Sequence, residues 1–252
     1  MAVTIKERAV AFLISFETGD RDIIENWVSE NYTPHYPDIG NGNNALLDFF
    51  DQVQTMDIKV DIRRAIEDEN YVVVHSEYTG PMIVMDILRF ENGKIVEHWA
   101  NGQEKIENTV SGHSMIDGNT EIKDHEKTID NKALLKELVD DVFIVGDYDK
   151  MSTLFDDDNY IQHNPNFADG LSGLLKGLEK MAKNGQEMKF TKNHMILGEG
   201  NFVLSVSEGR YGGDYVSFYD LFRMENGKFV EHWDVIEPIQ PLEKWKNQNG
   251  KF

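Results

Sequence analysis

The chain contains no cysteine, and this absence excludes several kinds of chemistry. Without thiols there can be no disulfide framework, no nucleophilic thiolate and no thiolate metal site. Basic residues are also scarce: 25 lysines and arginines stand against 45 acidic residues, so the formal net charge is −20. Such a charge repels the phosphates of nucleic acids and anionic membrane surfaces, so we expect neither as a partner.

Long apolar runs and nucleotide-binding motifs are missing as well. No run approaches the roughly 20 residues needed to span a membrane. Lys6, Glu7 and Arg8 interrupt the first twenty residues, which therefore do not resemble a signal peptide. No Gly-x-Gly-x-x-Gly or P-loop pattern is present, so a nucleotide cofactor is unsupported. We expect a cytoplasmic protein that works without a cofactor.

One ten-residue segment occurs twice and organises the chain. Residues Glu91–Ala100 read ENGKIVEHWA and residues Glu225–Asp234 read ENGKFVEHWD, identical at eight of ten positions and 134 residues apart. Asn-Gly between two strand-like segments predicts a tight β-hairpin, because both residues tolerate positive φ. The repeat predicts two copies of one domain, each of ordinary single-domain size.

Each half shows the same order of patterns. Helical spacing of apolar residues is followed by two-residue alternation, which predicts three helices and then four or more antiparallel strands, an α+β arrangement. Segments 31–42 and 159–165 are predicted as loops. The predicted domains are 1–107 and 129–252, joined by 108–128 as a linker or docked tail. The predicted helices cover residues 3–17, 22–28, 44–53, 130–146 (capped by Asp130), 148–155 and 171–183.

The register of the second hairpin decides which side chains meet. A strict two-residue turn sets Asp220 opposite Trp233, whereas a bulge at Gly227 sets Asp220 opposite His232. We favour the bulged register. It gathers a polar cluster within an apolar wall, with Asp220, Phe222, His232 and Asp234 on one face and Arg223 and Glu231 on the other.

A carboxylate beside an imidazole in an apolar concavity can act as a general base with an orienting acid. His163, on the loop before the third helix of its half, could complete the cluster of Asp220 and His232. A His opposite an Asp can instead be a hydrogen-bonded core pair with no catalytic role, and on spacing alone this structural role is favoured over catalysis. The same three residues have the composition of a two-His-one-carboxylate iron site, but no His-x-His or Glu-x-x-His spacing supports it, so no metal is expected.

Several motifs together resemble the SnoaL-like branch of the NTF2-like superfamily. They are Tyr160–Pro165, Ala168–Gly170, Asp220–Arg223 and the Glu225–Asp234 repeat, and the first half resembles the family more loosely, through His35, Pro37, Asp86, Arg89 and the run 93–99. The resemblance implies two tandem cone-shaped domains, each with three helices on a curved antiparallel sheet around an apolar pocket. It also implies association through sheets, either as an intrachain pseudo-dimer or as a homodimer.

The resemblance further implies a function. Family members of known activity are cofactor-free polyketide cyclases that close a ring by an aldol reaction, with an Asp as acid/base. By the resemblance, Asp220 would be the acid/base, His163 and His232 would polarise or orient a carbonyl, and Asp234 would support His232. The residues expected to contact the ligand are Tyr160, Phe222, Trp233, His35, Asp86, His98 and Trp99.

Two functions remain open at this point. The first is a cofactor-independent cyclase, isomerase or lyase acting on a small apolar carbonyl compound. The second is a non-catalytic module that binds a small ligand or a protein. Because Ala100 and Tyr36 stand where the second half has Asp234 and Asn164, we expect the first pocket to be a degenerate scaffold and any chemistry to lie in the second. An open second cavity with Asp220 and His163 converging would favour the enzyme.

Overall fold

The computed structural model describes residues 3–252, which form two units. The first unit comprises the residues up to Glu104 together with Ile239–Phe252, and the second comprises Lys105–Pro238. The segment that follows the last strand of each half therefore belongs to the unit formed by the other half. The sequence-based division instead assigns 239–252 to the second domain and 108–128 to a linker or docked tail.

Among its described residues, the first unit contains three α-helices and five strands, and a short 3-10 helix (Leu242–Lys244) lies in its C-terminal segment. Its elements in chain order are α1 (Ile5–Thr18), α2 (Arg21–Trp27), β1 (Val28–His35), α3 (Asn43–Val53), β2 (Val60–Asp68), β3 (Tyr71–Tyr78), β4 (Met82–Glu91) and β5 (Lys94–Glu104).

The second unit repeats this order, with a first helix that continues in π-helical form from Leu138 to Ile144. Asp130 lies inside that helix, two residues after its first residue, and does not cap it as predicted. The elements are α4 (Thr128–Glu137), α5 (Met151–Leu154), β6 (Ile161–Gln162), α6 (Gly170–Lys183), β7 (Met188–Glu199), β8 (Phe202–Tyr211), β9 (Asp214–Glu225) and β10 (Lys228–Pro238).

Both sheets have the same strand order, β1-β5-β4-β3-β2 in the first unit and β6-β10-β9-β8-β7 in the second. Four strands of each sheet are antiparallel, and the first strand of each half joins as a parallel edge strand beside the last. The predicted α+β class with two tandem domains, each of three helices and one sheet, is confirmed.

The edge strand β1 lies where the sequence predicts a loop. Pro34 and Pro37 suggested irregular backbone, but Pro34 lies within β1 and pairs with His98 of β5. An edge strand tolerates proline because one side of its hydrogen-bonding ladder is unused. The loop prediction for 31–42 is therefore wrong over its first residues.

The repeated hairpins have identical turn geometry. Asn92 and Gly93 have φ of 51° and 75°, and Asn226 and Gly227 have φ of 51° and 74°, as a tight two-residue turn requires. The turn pairs Met224 with Phe229, after which a bulge shifts the register by one residue.

Because of this bulge, the observed register differs from the predicted one. Asp220 lies opposite Asp234, and His232 lies opposite Phe222, so the predicted pairing of Asp220 with His232 is wrong. The predicted sharing of faces is confirmed, because one extra residue in the bulge restores the alternation that the strict turn alone would have reversed.

In each unit the helices pack against the sheet face that carries the Asp and His side chains of the repeated hairpin. In the first unit, Val72 and Val74 of β3 and Leu88 of β4 belong to one buried cluster with Phe12 and Phe50 from the helices. The second unit has an equivalent cluster around Leu135, Val203 and Phe222. Among residues 3–252, no helix combines the length and the apolar character needed to cross a membrane.

Candidate functional site

The first unit contains a cavity of about 340 Å³ between its helices and its sheet. Apolar side chains from α1, α3 and the strands form most of its wall. The volume falls within the range of pockets that hold small organic ligands. The ionisable or phenolic side chains that line it are Tyr36, Tyr78, Asp86 and His98.

Asp86 and His98 form a hydrogen-bonded pair that lines this cavity. His98 Nε2 lies 2.8 Å from Asp86 Oδ1, and His98 Nδ1 lies 2.9 Å from the hydroxyl oxygen of Tyr32. The Tyr78 hydroxyl donates a long hydrogen bond of 3.5 Å to Asp86 Oδ2.

The Tyr32 phenol fixes the tautomer of this imidazole. Burial, reinforced by the charge of Asp86, raises the pKa of Tyr32 and of Tyr78 well above the ordinary phenol value, so both keep their protons. A buried phenol needs an acceptor, and His98 Nδ1 is within reach of Tyr32. Neutral His98 therefore carries its proton on Nε2 and donates it to the Asp86 carboxylate.

The corresponding cavity of the second unit is only about 70 Å³. Aromatic side chains occupy much of the space: Phe143 stacks on Phe190 at 4.8 Å between ring centroids, and Phe190 stacks on Phe218 at 4.1 Å. A space of this size suits an ion or a few waters better than an organic ligand.

The second cavity nevertheless carries the denser polar cluster. His232 Nε2 lies 3.2 Å from Asp220 Oδ1, and His232 Nδ1 lies 2.8 Å from Gln162 Oε1. That same Gln162 oxygen accepts the Asn164 backbone N–H at 2.9 Å, which fixes the orientation of the amide. His232 Nδ1 must therefore donate, and in the neutral ring Nε2 presents its lone pair to Asp220 Oδ1, so that the 3.2 Å contact becomes a hydrogen bond only when Asp220 or the ring holds a further proton. This is the opposite tautomer to that of His98.

Two carboxylate oxygens of this cluster have no hydrogen-bond partner. They are Asp220 Oδ2 and Asp234 Oδ1, on buried residues that line the cavity. Asn164 Nδ2 donates to the other oxygen of Asp234 at 2.6 Å. Burial, reinforced by the nearby Asp220 and opposed by His232 and Asn164, raises the pKa of Asp234 to about 6. One ligand atom each from Asp220, His232 and Asp234 lies within 4.8 Å of the other two, so these are the residues that could hold a metal.

His163 lies on the opposite face of the sheet, away from the cavity. Its ring stacks on Trp233 at 4.7 Å and 12°, its Nε2 lies 3.0 Å from Glu231 Oε1, and its Nδ1 lies 2.7 Å from the carbonyl oxygen of Ser114. Arg223 Nε donates to the other Glu231 oxygen at 2.6 Å. Burial opposes ionisation of Glu231, but the hydrogen bonds from His163 and Arg223 outweigh it and lower the Glu231 pKa.

The first unit has the same arrangement on its outer face. His35 stacks on Trp99 at 4.7 Å, and its ring nitrogens lie 2.9 Å from Glu97 Oε1 and 2.8 Å from the carbonyl oxygen of Gly250. In each unit the histidine is buried beneath the segment that follows the other half's last strand, residues 239–252 on the first sheet and residues 105–127 on the second.

The expected convergence of His163 with Asp220 is therefore absent. His163 follows directly after Gln162 of β6 and its N–H donates to the His232 carbonyl oxygen at 2.9 Å, so the strand alternation continues. Gln162 then faces the cavity and His163 faces away. The predicted site residues that line a cavity are Tyr160, Asp220, Phe222, His232 and Asp234 in the second unit and Asp86 and His98 in the first. Those on the outer face are His35, Trp99, His163 and Trp233.

Sequence reasoning assigned no site role to Tyr32, Tyr78 or Gln162, and noted Asn164 only as a position where the two halves differ. A signal for two of these positions was present. Tyr-x-x-His occurs in both halves, as Tyr32–His35 and Tyr160–His163, and the residue before each His pairs with the His of the repeated hairpin. In the first half this pairing places Tyr32 within hydrogen-bond distance of His98, and in the second half it places Gln162 within hydrogen-bond distance of His232.

The sequence matches the family described as SnoaL-like domain at residues 9–98 and 135–232. The chain belongs to the SnoaL-like domain family. Each half contributes one copy of the domain, and the two matches contain both hairpin imidazoles, His98 and His232.

No curated protein matches the sequence. Several solved structures resemble part of it. Wild-type IdmH from Streptomyces antibioticus, a polyketide cyclase by provisional assignment, is 16% identical, with 40% of this chain and 92% of IdmH covered and a TM-score of 0.36. An NTF2-like protein of unknown function from Cytophaga hutchinsonii is 14% identical, covering 41% and 93% at a TM-score of 0.35. A protein of unknown function with a cystatin-like fold from Xanthomonas campestris is 23% identical, covering 42% and 89% at a TM-score of 0.37.

Proposed function

We propose that the first SnoaL-like domain binds a small apolar carbonyl compound and transfers its α-proton without a cofactor, as an isomerase, lyase or aldol-type cyclase does. The observation that supports this most is the cavity of about 340 Å³ lined by the Asp86–His98 pair within an otherwise largely apolar wall. A carboxylate in apolar surroundings is the type of base that such reactions use.

In the proposed reaction, Asp86 removes the α-proton. The electrons of the broken C–H bond form the enolate. Asp86 then returns the proton at the same or a neighbouring carbon, or gives it to a leaving group that the enolate expels from the β-carbon, or gives it to the alkoxide formed when the enolate attacks a second carbonyl of the substrate. The Tyr78 hydroxyl, which lines the cavity and keeps its proton, can donate to the developing oxyanion. Tyr32 and His98 orient the carboxylate through the chain from phenol to imidazole to Asp86.

We therefore assign the reaction to the first domain, although the sequence led us to expect it in the second. The second cavity of about 70 Å³ leaves too little room for an organic substrate, and His163 does not reach it. The absence of a carboxylate at Ala100 does not disable the first pocket. It leaves Asp86 as the single carboxylate there and opens space beside it.

Proton–deuterium exchange tests the proposal directly. Small β-keto esters and cyclic ketones would be incubated with the full chain in D₂O, and loss of the α-proton signal followed by NMR. We expect exchange above the buffer rate for at least one compound, and a reduction of about 10²–10⁴-fold in Asp86→Asn. Asp61→Asn, which removes an exposed carboxylate of the same unit, serves as the matched control and should exchange at the wild-type rate.

A cavity-filling variant separates binding from chemistry. Ala100→Leu places extra volume in the cavity while leaving Asp86, His98 and Tyr78 in place, so both ligand-induced thermal stabilisation and exchange should fall. Full exchange in a well-folded Asp86→Asn protein would rule out the proposed base.

A non-catalytic binding module is the second candidate. It is favoured by one observation: both oxygens of Asp86 already have partners, His98 and Tyr78. In that case compounds that raise the melting temperature of the wild type, and fail to do so in Ala100→Leu, would show no exchange with any variant.

A further inference from the structure

The second domain holds two buried carboxylates side by side, and the one basic side chain among the described residues that line the cavity is His232. Asp220 and Asp234 are paired across β9 and β10, and both are at most 5% exposed. No lysine or arginine is among the described residues that line this cavity. Two buried carboxylates with oxygen atoms within 4.8 Å of each other must be neutralised by protons or by a bound cation.

The donor atoms of the cluster are arranged for a cation. The hydrogen bond from His232 Nδ1 to Gln162 directs the lone pair of the neutral ring to Nε2, on the side of Asp220. Asp220 Oδ2 and Asp234 Oδ1 are both without a hydrogen-bond donor, and the cluster offers three ligand atoms within 4.8 Å of one another.

The surrounding groups resemble the outer shell of a metal site. Metal-binding histidines usually donate their second N–H to a carbonyl or carboxylate oxygen, and metal-binding carboxylates are usually hydrogen-bonded themselves. Gln162 Oε1 accepts from His232, and Asn164 Nδ2 donates to Asp234 Oδ2. Both supporting residues come from the short segment around β6.

The first domain provides an internal comparison. At the positions that match Gln162, Asn164 and Asp234, it has Pro34, Tyr36 and Ala100. One potential ligand and both supporting amides are therefore replaced together, while Asp86 and His98 remain. The three exchanges affect a single chemical feature, the set of groups around the hairpin imidazole.

We propose that Asp220, His232 and Asp234 bind one divalent first-row transition-metal cation in the second domain. One imidazole and two carboxylates suit ions such as Zn²⁺ or Mn²⁺, whereas Mg²⁺ favours oxygen ligands and retains its waters. The cavity of about 70 Å³ leaves room for the ion and a few waters. The proposal concerns a different domain from the proposed proton transfer and does not depend on it.

Titration calorimetry of the full chain, stripped of metal with a chelator, tests this site. ZnCl₂ and MnCl₂ are the probes, with MgCl₂ for contrast and CoCl₂ as a spectroscopic probe whose d–d absorption reports the coordination geometry of the bound ion. We expect one Zn²⁺ or Mn²⁺ per chain, weaker binding of Mg²⁺, and a rise in melting temperature with the bound ion.

Variants assign the binding to these residues. Outer-shell partners contribute about 10–100-fold to metal affinity, so Gln162→Leu should weaken binding within that range and His232→Gln or Asp234→Asn by more than about 100-fold. A circular dichroism spectrum and a melting curve of each metal-free variant establish that it is folded. If His232→Gln fails to fold, Gln162→Leu, which removes no ligand, carries the test alone.

A surface site is the competing explanation for metal uptake. His113 Nε2 and Asp169 Oδ2 lie 3.0 Å apart in an exposed pair, so His113→Gln is the matched control. It should retain full stoichiometry and affinity. The proposal is overturned if the wild type binds none of the transition-metal probes, if His113→Gln abolishes binding, or if folded Asp234→Asn and Gln162→Leu bind as tightly as the wild type.

Discussion

Asp220 and Asp234 lie directly opposite one another on β9 and β10, at the positions where the first domain pairs Asp86 with Ala100. The two halves share strand order, turn geometry and the outer-face His–Glu–Arg group stacked on a tryptophan. They differ on the inner face. One domain has a single carboxylate beside an open cavity, and the other has a carboxylate pair beside a small one.

The two hairpin histidines should be opposite tautomers. His98 accepts from Tyr32 at Nδ1, whereas His232 donates to Gln162 from Nδ1. Long-range ¹H–¹⁵N correlation spectra of the metal-free chain, recorded at a pH where the neutral rings dominate, should show the proton on Nε2 in His98 and on Nδ1 in His232.

Two variants test the causes of these tautomers. Tyr32→Phe should weaken but not abolish the Nε2–H preference of His98, because Asp86 still accepts from Nε2, and should leave His232 unchanged. Gln162→Leu should shift the His232 proton to Nε2, where Asp220 can accept it, and should leave His98 unchanged. The same tautomer at both positions in the wild type would contradict the assignment.

Asp234 makes stability depend on pH. Its folded pKa of about 6 exceeds the ordinary value of 3.8, because burial penalises the charged form. Between about pH 4 and pH 6 the folded metal-free chain binds a proton that the unfolded chain has lost, so the free energy of unfolding falls as pH rises. The contribution is present at low pH and lost through pH 6, on the order of 3 kcal/mol in total.

The measurement is the difference between wild type and Asp234→Asn in urea denaturation at pH 4, 5, 6 and 7, without metal. The charged and titratable groups that act on Asp234 are Asp220, His232, Tyr160 and Tyr211, and all remain in the variant. The wild type should lose stability relative to the variant as pH rises. A difference that is constant across the range would show that Asp234 is ordinary.

The outer-face glutamates should differ in importance. Glu231 is 2% exposed and binds His163 and Arg223, whereas the Glu97 side chain is 20% exposed and binds His35 and Arg89. Glu231→Gln removes the charge partner of the buried Arg223 and should cost about 3 kcal/mol, the low end for a broken buried pair because Arg223 keeps Glu225.

The matched variant Glu97→Gln should cost about 1 kcal/mol or less, because solvent screens its pairs. Chemical denaturation measures both. Equal losses would mean that the depth of burial does not control the contribution of this group.

Gly118 lies in the segment 105–127 that covers the outer face of the second sheet, and we expect it to tolerate no larger residue. Its φ is +93°, and an added Cβ would meet the Glu231 carboxylate, Trp233 at 2.7 Å and His163 at 2.9 Å. Gly118→Ala therefore combines backbone strain with overpacking and should reduce stability by about 2–4 kcal/mol.

Gly112→Ala is the control, since Gly112 has a φ of +85° with open space around its Cβ position. It should cost about 1 kcal/mol, from backbone strain alone. Denaturation followed by tryptophan fluorescence compares the two. Similar losses would indicate that the segment can move away from Trp233.

Much of the fold could be predicted from local patterns. The repeated Asn-Gly turn, the change from helical to alternating spacing and the order of elements all depend on residues close together in sequence. The faces of β9 and β10 were predicted because alternation is a property of each strand. The parallel edge strands were not, because their pairing joins residues more than sixty positions apart, such as Pro34 and His98.

The candidate site was less accessible to sequence reasoning. His163 was expected beside Asp220 because it lies on the loop before the third helix and within a family-like motif. The strand pairing extends one residue beyond Gln162, and the alternation of the strand then places the His163 side chain on the other face of the sheet. Cavity size was also beyond reach, since it depends on how Phe143, Phe190 and Phe218 stack in three dimensions.

The sequence by itself determined the duplication, the α+β class, the SnoaL-like family and the identity of the two hairpin imidazoles, because each is written in local spacing or in a repeated motif. Tertiary structure decided which imidazole faces open space, which carboxylates become neighbours and which histidines are buried under docked segments. Those outcomes follow from a one-residue bulge, a parallel edge pairing and the packing of aromatic rings, and all three are set by contacts between residues far apart in the chain.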